Sequence, residues 1–320
     1  MREVLTFGRY LTRRYGERVY KISLNLSGFT CPNIDGKVAR GGCTYCDNES
    51  FSPNLAGGKK RFFLSNDSRE NPLLEQQLRE ITFQYEGSRS HFKRDYGINK
   101  FIAYFQSFSN TYAPLDTLKA LYEKAMAYDD VVAISIGTRA DCVDDALFDY
   151  LKELQTRTGK DVWVEFGVQT TFDATLEKIN RGETYAQSEA AIRKAKASGL
   201  KVCAHMIFGL IDETPEMMLE ATRKVCALGI DAIKFHPCYV VKNTILANEY
   251  VNGKFTPISQ ESYIETLVRA IQEMPISIIV QRVSAGIANE TLIAPAWCGT
   301  DKNTQMAKVK KALLKEGLRY

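Results

Sequence analysis

The sequence predicts an α/β protein: a partial (β/α)6 barrel of the TIM type with parallel strands, followed by a C-terminal extension. Strand-like runs begin near residues 21, 101, 131, 162, 201 and 232. From residue 101 onward they recur every 30 to 39 residues, which is the length of one strand–helix unit. Gly199 and Gly229 stand just before the fifth and sixth runs, where helix C-caps belong. These observations favour one parallel sheet wrapped around one core.

The connection after the first strand is too long for an ordinary loop. The first strand covers residues 21–28, and the next helix begins only near residue 72. Connections of this length are usually functional or disordered, and this one contains three cysteines. The other predicted strands are residues 101–107, 131–138, 162–170, 201–209 and 232–240.

Helix signals occupy the intervals between the strands. Asn71 and Pro72 open a helix predicted over residues 72–84, and Pro114 and Thr214 open two more. Residues 276–283 are a candidate extra strand, and residues 302–316 are a predicted terminal helix. We therefore divide the chain into three parts: a basic N-terminal segment (1–20), a barrel (21–245) with the cysteine loop at 29–71, and an extension (246–320) packed on the barrel.

Composition limits the class of protein. The chain has 320 residues, 45% of them apolar, which is enough to bury a large core. No run of eighteen apolar residues is present, so we expect neither a membrane span nor a membrane partner. The N-terminal stretch MREVLTFGRYLTRRYG lacks the apolar region of a secretory signal. Eight cysteines in an unexported chain indicate metal binding or buried thiols rather than disulfides, so we expect a soluble cytoplasmic protein.

The net charge of +4 is unevenly distributed. Residues 1–21 carry six basic side chains against two acidic ones, a surplus equal to that of the whole chain. Further basic clusters are Lys59, Lys60 and Arg61, the stretch 89–100, and Lys308, Lys310, Lys311 and Lys315. Such clusters can bind phosphate backbones, although charge alone favours an ordinary solvated face offset by acids elsewhere.

The stretch CPNIDGKVARGGCTYC at residues 31–46 is the strongest sign of chemistry. Cys31, Cys43 and Cys46 can converge on one metal because glycines let the intervening loop fold back. A structural zinc site normally needs four protein ligands, and the next Cys or His after Cys46 is His91. A [4Fe–4S] cluster held by three cysteines leaves one iron open for a non-protein ligand, as binding of S-adenosylmethionine requires. Three unrelated core cysteines are the plain alternative.

This loop resembles the cluster loop of radical S-adenosylmethionine (radical SAM) enzymes, in the variant with an expanded first gap. Tyr45, just before the last cysteine, matches the aromatic residue that is usual at this position in that superfamily. Other stretches are similar to the YhcC/YtqA-type family, relatives of the Elongator catalytic subunit, and they cover nearly the whole chain. They include LTRRYG at 11–16, YFQSFSNTYAP at 104–114, SIGTRADCV at 135–143, VEFGVQT at 164–170, INRG at 179–182, IKFHPCYVVK at 233–242 and APAWC at 294–298.

Alternate residues of a strand share one face of the sheet. On four strands this alternation brings polar side chains to the barrel interior. The inward sets are Tyr104 and Gln106; Glu165, Gly167 and Gln169; His205, Ile207 and Gly209; and Lys234, His236 and Cys238. Polar groups are costly in a barrel interior unless they bind something, so four strands of this kind indicate a ligand pocket. The strand C-termini are the end of a barrel where active sites lie.

The resemblance implies roles for several of these residues in binding S-adenosylmethionine. Gln106 and Ser107 match the position that binds the methionine amino group. Glu165 and Gln169 match the motif that holds ribose or the methionine carboxylate, with Arg181 as a further candidate. The stretch from His205 resembles the adenine-binding motif, except that His205 replaces the usual glycine. For Glu165 a buried ion pair with Lys234 or Arg181 is the structural alternative.

Three further residues are candidates for catalysis. Lys234 and His236 are either substrate contacts or a hydrogen-bonded core pair. Cys298 follows Pro295 and Trp297, which suggest a fixed loop, and its thiol is either a hydrogen donor to a radical or a buried structural group.

The resemblance implies a radical SAM enzyme that acts on tRNA, with a reducing partner such as a flavodoxin or ferredoxin. The implied step converts a carboxymethylaminomethyl group to aminomethyl at carbon 5 of the wobble uridine. Two alternatives stay open: a radical SAM enzyme for a small metabolite or a peptide, and a zinc-bound RNA-binding module without redox chemistry.

Overall fold

The computed structural model describes residues 1–47, 62–284, 287 and 290–320, and its centre is a parallel sheet of seven strands. The strands are β2 (Val19–Leu24), β3 (Lys100–Phe105), β4 (Val131–Thr138), β5 (Asp161–Gln169), β6 (Lys201–Phe208), β7 (Ala232–Pro237) and β9 (Ile279–Arg282). They lie side by side in chain order and curl into a half-barrel. The predicted partial barrel is confirmed, and the candidate extra strand at residues 276–283 is its seventh strand.

Ten helices occur in the described part of the chain. They are α1 (Phe7–Tyr15), α2 (Leu74–Tyr96), α3 (Leu115–Met126), α4 (Asp145–Thr158), α5 (Asp173–Lys178), α6 (Tyr185–Ala197), α7 (Pro215–Cys226), α8 (Ile245–Val251), α9 (Gln260–Glu273) and α10 (Lys302–Lys315). Helix α2 extends well beyond the predicted end at residue 84, because its stop signal is Gly97 in the left-handed region at φ 64°. None of these helices is long and apolar enough to cross a bilayer.

Two short strand pairs complete the sheet structure. Strand β1 (Arg2–Glu3) pairs in parallel with β11 (Leu318–Arg319), and β8 (Val240–Val241) pairs antiparallel with β10 (Leu292–Ala294). The first pair joins the two ends of the chain beside α1. The C-terminal segment is thus tied both to the N-terminus and, through β9, to the main sheet.

Helix α1, which the sequence analysis did not predict, covers the end of the half-barrel where the strands begin. Phe7 and Tyr10 each meet the ring of Trp163 edge-on, with centroids 5.8 Å apart. Leu11 packs into an apolar layer with one residue from each of six strands: Ile102, Ala133, Trp163, Cys203, Ala232 and Ile279. Burying these apolar and aromatic groups stabilises the closed end of the barrel.

Arginines of the basic N-terminal segment form ion pairs at this closed end. Arg9 and Arg13 both contact Glu3, at 3.5 and 2.5 Å. Arg14 contacts Asp161, the first residue of β5, at 3.2 Å. These positions are remote from the strand C-termini, where an active site is expected. The other basic cluster of interest, at residues 59–61, lies outside the described residues.

Candidate active site

Side chains inside the half-barrel change from apolar to polar towards the C-terminal ends of the strands. Two positions beyond the apolar layer lie Lys21, Tyr104, Ser135, Glu165, His205 and Lys234. Beyond these an open cavity of about 470 Å³ begins. The predicted site residues that line it are Cys31, Cys43, Tyr45, Cys46, Gln106, Ser107, Glu165, Gln169, Arg181, His205, Lys234 and His236.

The cysteine loop is folded back on itself and docked on the barrel. Gly36, Gly41 and Gly42 all adopt positive φ, at 98°, 84° and 79°, as the predicted fold-back needs. The amide of Asn180, in the turn after α5, donates to the backbone carbonyls of Arg40 and Gly42 at 2.9 and 2.7 Å. This docking brings the cysteines to the cavity.

Polar side chains of the loop and of the barrel point at the cysteine sulfurs. The Asn33 amide donates to Cys43 Sγ at 3.2 Å, and the Ser109 hydroxyl donates to Cys31 Sγ at 3.3 Å. Burial raises the pKa of the Cys31 thiol to about 11, although the Ser109 hydrogen bond opposes the shift. Burial also raises the pKa of Cys46. Without a metal these thiols therefore keep their protons, and metal binding would release them.

Glu165 is fully buried at the centre of the polar layer. Its carboxylate accepts hydrogen bonds from Lys21, Lys234, Ser135 and His205. Burial alone would raise the pKa of Glu165, but the ammonium groups of Lys21 and Lys234 hold it well below its usual value. The buried ion pair with Lys234, stated above as the structural alternative, is present. A role of Glu165 in cofactor binding stays a prediction.

The two histidines beside this carboxylate are neutral near pH 7. Burial, followed by the charge of Lys234, lowers the pKa of His205 to about 4. Burial and then the guanidinium of Arg282 lower the pKa of His236 well below its usual value. The two rings lie 6.0 Å apart, so they offer hydrogen-bonding groups rather than positive charge to the cavity.

Glu165 and His205 also lie close to Cys203, and ligand atoms of the three residues are within 4.8 Å of one another. The carboxylate is already bound by Lys21 and Lys234. Two ammonium groups would repel a metal cation there, so we do not regard this cluster as a second metal site.

The end of β3 has an unusual backbone. Ser107 and Phe108 are consecutive non-glycine residues in the left-handed region, with φ of 64° and 60°. The hydroxyl of Ser107 donates to the Asn25 side chain at 2.7 Å. Such conformations cost free energy and are found most often at functional sites.

The end of β5 brings Gln169 and Arg181 together. Gln169 has a φ of 70°, and Arg181 Nη2 donates to the Gly167 carbonyl at 2.6 Å. A Cβ atom at Gly167 would lie 2.8 Å from the Gln169 amide and 3.3 Å from Arg181. Residue 167 therefore has to be glycine for these two side chains to keep their places.

The structure does not bring Cys298 to the cavity. It is fully buried in a short 3-10 turn, and burial raises the pKa of its thiol to about 12. Cys238 is the cysteine outside the loop that lines the cavity. These positions favour the alternative reading of Cys298 as a structural thiol.

The sequence analysis missed three charged residues of this region: Lys21, Arg139 and Arg282. The alternation of residues along β2 could have identified Lys21 as inward-facing, since it shares a strand face with Ser23. Arg139 lies at the end of β4 in a pattern that resembled the family, and it is buried among Asp141 and Glu183. No sequence signal identified Arg282, because a register shift in β9 sets the direction of its side chain.

Comparison with known proteins places this architecture in a class. A family model described as the Radical SAM superfamily matches residues 36–225, and one described as the Radical_SAM C-terminal domain matches residues 230–315. The chain therefore belongs to the radical SAM superfamily. That superfamily binds a [4Fe–4S] cluster and S-adenosylmethionine, and these are the cofactors of this chain.

Individual relatives define the subgroup. Protein YhcC of Escherichia coli K12 is 36% identical over 312 residues, which cover 98% of this chain and 93% of that protein. YtqA of Bacillus subtilis is also 36% identical, over 98% of this chain and 90% of its own length. A tRNA uridine(34) acetyltransferase of Methanocaldococcus infernus is 29% identical over 192 residues, 59% of this chain and 34% of that protein. The chain belongs to the YhcC/YtqA-type family.

A solved structure supports the fold. The Elp3 protein of Methanocaldococcus infernus, with residues 1–46 deleted, matches with a TM-score of 0.59 and 19% sequence identity. The match covers 94% of this chain and 64% of that one. At this identity the likeness shows the shared fold and nothing more.

The residues present fit the cofactors of the family. The three cysteine thiols line one cavity, and side-chain donors already point at two of the sulfurs. Hydrogen bonds of this kind stabilise metal-bound thiolates. The sequence has no other Cys or His between Cys46 and His91 to complete a four-ligand zinc site, and the superfamily binds an iron–sulfur cluster. The zinc-bound module considered above is therefore wrong.

Proposed function

We propose that this radical SAM enzyme modifies tRNA in the cytoplasm, converting carboxymethylaminomethyl to aminomethyl at carbon 5 of the wobble uridine. The two-carbon acid would leave as glyoxylate after oxidation and hydrolysis of its C–N bond, and S-adenosylmethionine would take up the two electrons as it is reduced to methionine and 5′-deoxyadenosine. The observation that carries the tRNA assignment is the 29% identity over 192 residues to a protein named as a tRNA uridine(34) acetyltransferase. The cavity opens at the strand C-termini, where a splayed base could enter, as base-modifying enzymes require.

We assign the cysteine end of the cavity to the cluster. Cys31, Cys43 and Cys46 would hold it, which leaves one iron without a protein ligand. When bound and reduced, the cluster would supply the electron for cleavage of S-adenosylmethionine. We expect a flavodoxin or a ferredoxin to be the reducing partner. The protein's own contribution is to position the reactants and to exclude water from the radical.

We assign the strand ends to S-adenosylmethionine. Gln106 and Ser107, at the strained end of β3, suit the methionine amino group, and His205 begins the stretch that resembles the family's adenine-binding motif. Gln169 and Arg181 suit the ribose or the carboxylate. Glu165 contributes indirectly to the site, because its hydrogen bonds hold Lys234 and His205 in place.

We place the substrate contacts on β7. Lys234 and His236 lie on the same strand face and both line the cavity. Lys234 can donate hydrogen bonds, and neutral His236 can donate or accept one. The amine and carboxylate of a carboxymethylaminomethyl group are complementary to such groups.

The test is nucleoside mass spectrometry. Total tRNA from a strain lacking this gene is incubated without oxygen with the reconstituted protein, S-adenosylmethionine and dithionite. We expect carboxymethylaminomethyluridine to fall, aminomethyluridine to rise, and 5′-deoxyadenosine to form. A Cys43→Ala variant is the control and should leave the nucleosides unchanged. If the protein cleaves S-adenosylmethionine but the tRNA nucleosides stay the same in this assay and in the strain, the substrate is a small metabolite or a peptide.

A further inference from the structure

Apart from Asp47, which follows Cys46 and also lines the cavity, the charged side chains around the cavity form two groups that differ in balance. The first group lies near the cysteine loop. Arg139 contacts Asp141 at 2.6 Å and Glu183 at 3.2 Å, and Arg181 contacts Glu183 at 3.3 Å. Two cations face two carboxylates, so this group is neutral before any ligand binds.

The second group is built from side chains of β2, β5, β7 and β9 that meet inside the half-barrel, and it is not balanced. Lys21 and Lys234 share the single carboxylate of Glu165. Arg282 adds a third positive charge to the same wall and lines the cavity. Since His236 is neutral near pH 7, the positive surplus comes from these three cations against one carboxylate, although burial lowers the pKa of Lys21.

Arg282 reaches the cavity through an irregularity in β9. Strand β9 is in register with β7 at Ile279 and Val280, and the register then shifts so that Arg282, not Gln281, lies opposite Lys234. Gln281 still faces the interior, where it accepts a hydrogen bond from Lys21 at 3.1 Å. A bulge of this kind re-aims a side chain and is frequent beside active sites. It also breaks the parity rule, which is why the sequence did not identify Arg282.

Among the residues that the structure describes, Arg282 has no counter-charge of its own. In the part of the chain that the structure describes, no carboxylate lies within ion-pair distance of it, and its guanidinium makes no hydrogen bond there. The charge is close enough to lower the pKa of His236. An arginine that lines a cavity beside a lysine whose carboxylate partner is shared with a second lysine is a site for an oxygen anion, which a guanidinium can bind with two parallel hydrogen bonds.

We propose that Arg282, together with Lys234, is a specificity-determining subsite that binds the carboxylate of the substrate. The identity of that carboxylate as the carboxymethylaminomethyl group rests on the proposed function. The anion-binding chemistry of the subsite does not rest on the proposed function. It follows from the surplus of positive charge and from the direction of the Arg282 side chain. The subsite would reject a wobble uridine without an anionic substituent.

The first experiment needs no RNA. N-Methylglycine reproduces the amine and carboxylate of the modified base, and methylamine is the same fragment without the carboxymethyl group. Binding of both to the cluster-loaded protein is measured by calorimetry for the parent, Arg282→Gln and Arg282→Lys. We expect N-methylglycine to bind the parent about ten- to a hundredfold more tightly than the Gln variant, with Lys in between, and methylamine to show no difference.

The second experiment uses tRNA with and without the substituent. We expect Arg282→Gln to raise KM for the substituted tRNA about tenfold or more. Affinity for S-adenosylmethionine and for tRNA with an unsubstituted wobble uridine should change less than about twofold. Arg157→Gln, at an exposed position of α4, is the matched control and should change none of these values.

Three results would overturn the proposal. Equal loss of affinity for substituted and unsubstituted tRNA would make Arg282 a phosphate contact. Weaker binding of S-adenosylmethionine would make it a cofactor contact, and unchanged N-methylglycine binding would mean that the subsite does not exist. The proposed function fails separately, if the parent binds N-methylglycine through Arg282 yet leaves tRNA unmodified.

Discussion

The two ends of the half-barrel are built from the same strands but from different chemistry. At the closed end, Trp163 packs against aromatic side chains of α1. Two residues further along the same face of β5, Glu165 is surrounded by ammonium groups and hydrogen-bond donors. The difference shows how one strand can serve stability at one end and ligand binding at the other, and substitutions at the two ends should separate these roles.

The largest effect is expected from substituting Glu165 or Trp163. Glu165→Gln leaves two buried ammonium groups without their carboxylate and should lower the free energy of unfolding by about 3–5 kcal/mol. Trp163→Ala should lower it by a similar amount, about 3–5 kcal/mol, through a cavity. Only Glu165→Gln should also weaken S-adenosylmethionine binding, measured on folded protein with equal cluster content. Equal loss of binding in both variants would contradict the division between the two ends.

The open end should also make stability depend on pH. His205 has a pKa of about 4 in the folded protein and about 6.5 when unfolded, so between these values only the unfolded chain takes up a proton. Stability is therefore complete above pH 6.5 and falls as pH drops towards 4. Between pH 7 and pH 5 this residue should account for a loss of about 2 kcal/mol in the free energy of unfolding.

Urea unfolding of the parent and of His205→Gln at both pH values measures this contribution. The variant should lose less stability than the parent on acidification. An identical pH dependence in the two proteins would show that the His205 ring is not held neutral by its surroundings.

Contacts with tRNA should divide between the ends in the same way. Arg9, Arg13 and Arg14 are paired with acids at the closed end. Residues 59–61 follow Cys46 in the sequence, and neutralising Lys59, Lys60 and Arg61 should weaken tRNA binding about tenfold at low salt and flatten its salt slope by up to about three units. Neutralising the three N-terminal arginines is the control. A larger effect from the control would mean that tRNA binds at the closed end of the half-barrel.

The smallest effect is expected from Gln169→Ala. Its amide is a neutral hydrogen-bonding group at the end of β5, so its loss should weaken S-adenosylmethionine binding only about two- to tenfold. Stability should be unchanged, because Gln169 lines the cavity rather than the core. An effect as large as that of Glu165→Gln would mean that Gln169 is a principal cofactor ligand.

Periodicity predicted the strands well because each βα unit repeats the same burial pattern. Parity also predicted that Glu165, His205, Lys234 and His236 share the interior. Helix α1 was missed because its arginines conceal a short apolar stripe that is buried only once the barrel has formed, against Trp163 and the apolar layer around it. Arg282 was missed because a register shift, which depends on the neighbouring strand, changes the direction of its side chain.

The central claim is that the radical chemistry of this chain is carried out at the open end by a cluster on Cys31, Cys43 and Cys46. The direct test is to measure iron content and 5′-deoxyadenosine formation in anaerobically reconstituted parent and triple-alanine variant, with Cys226→Ala of α7 as the control. We predict about four irons and steady product in the parent and the control. The triple variant should stay folded but have neither. Full iron content and undiminished 5′-deoxyadenosine in the triple variant would contradict the account.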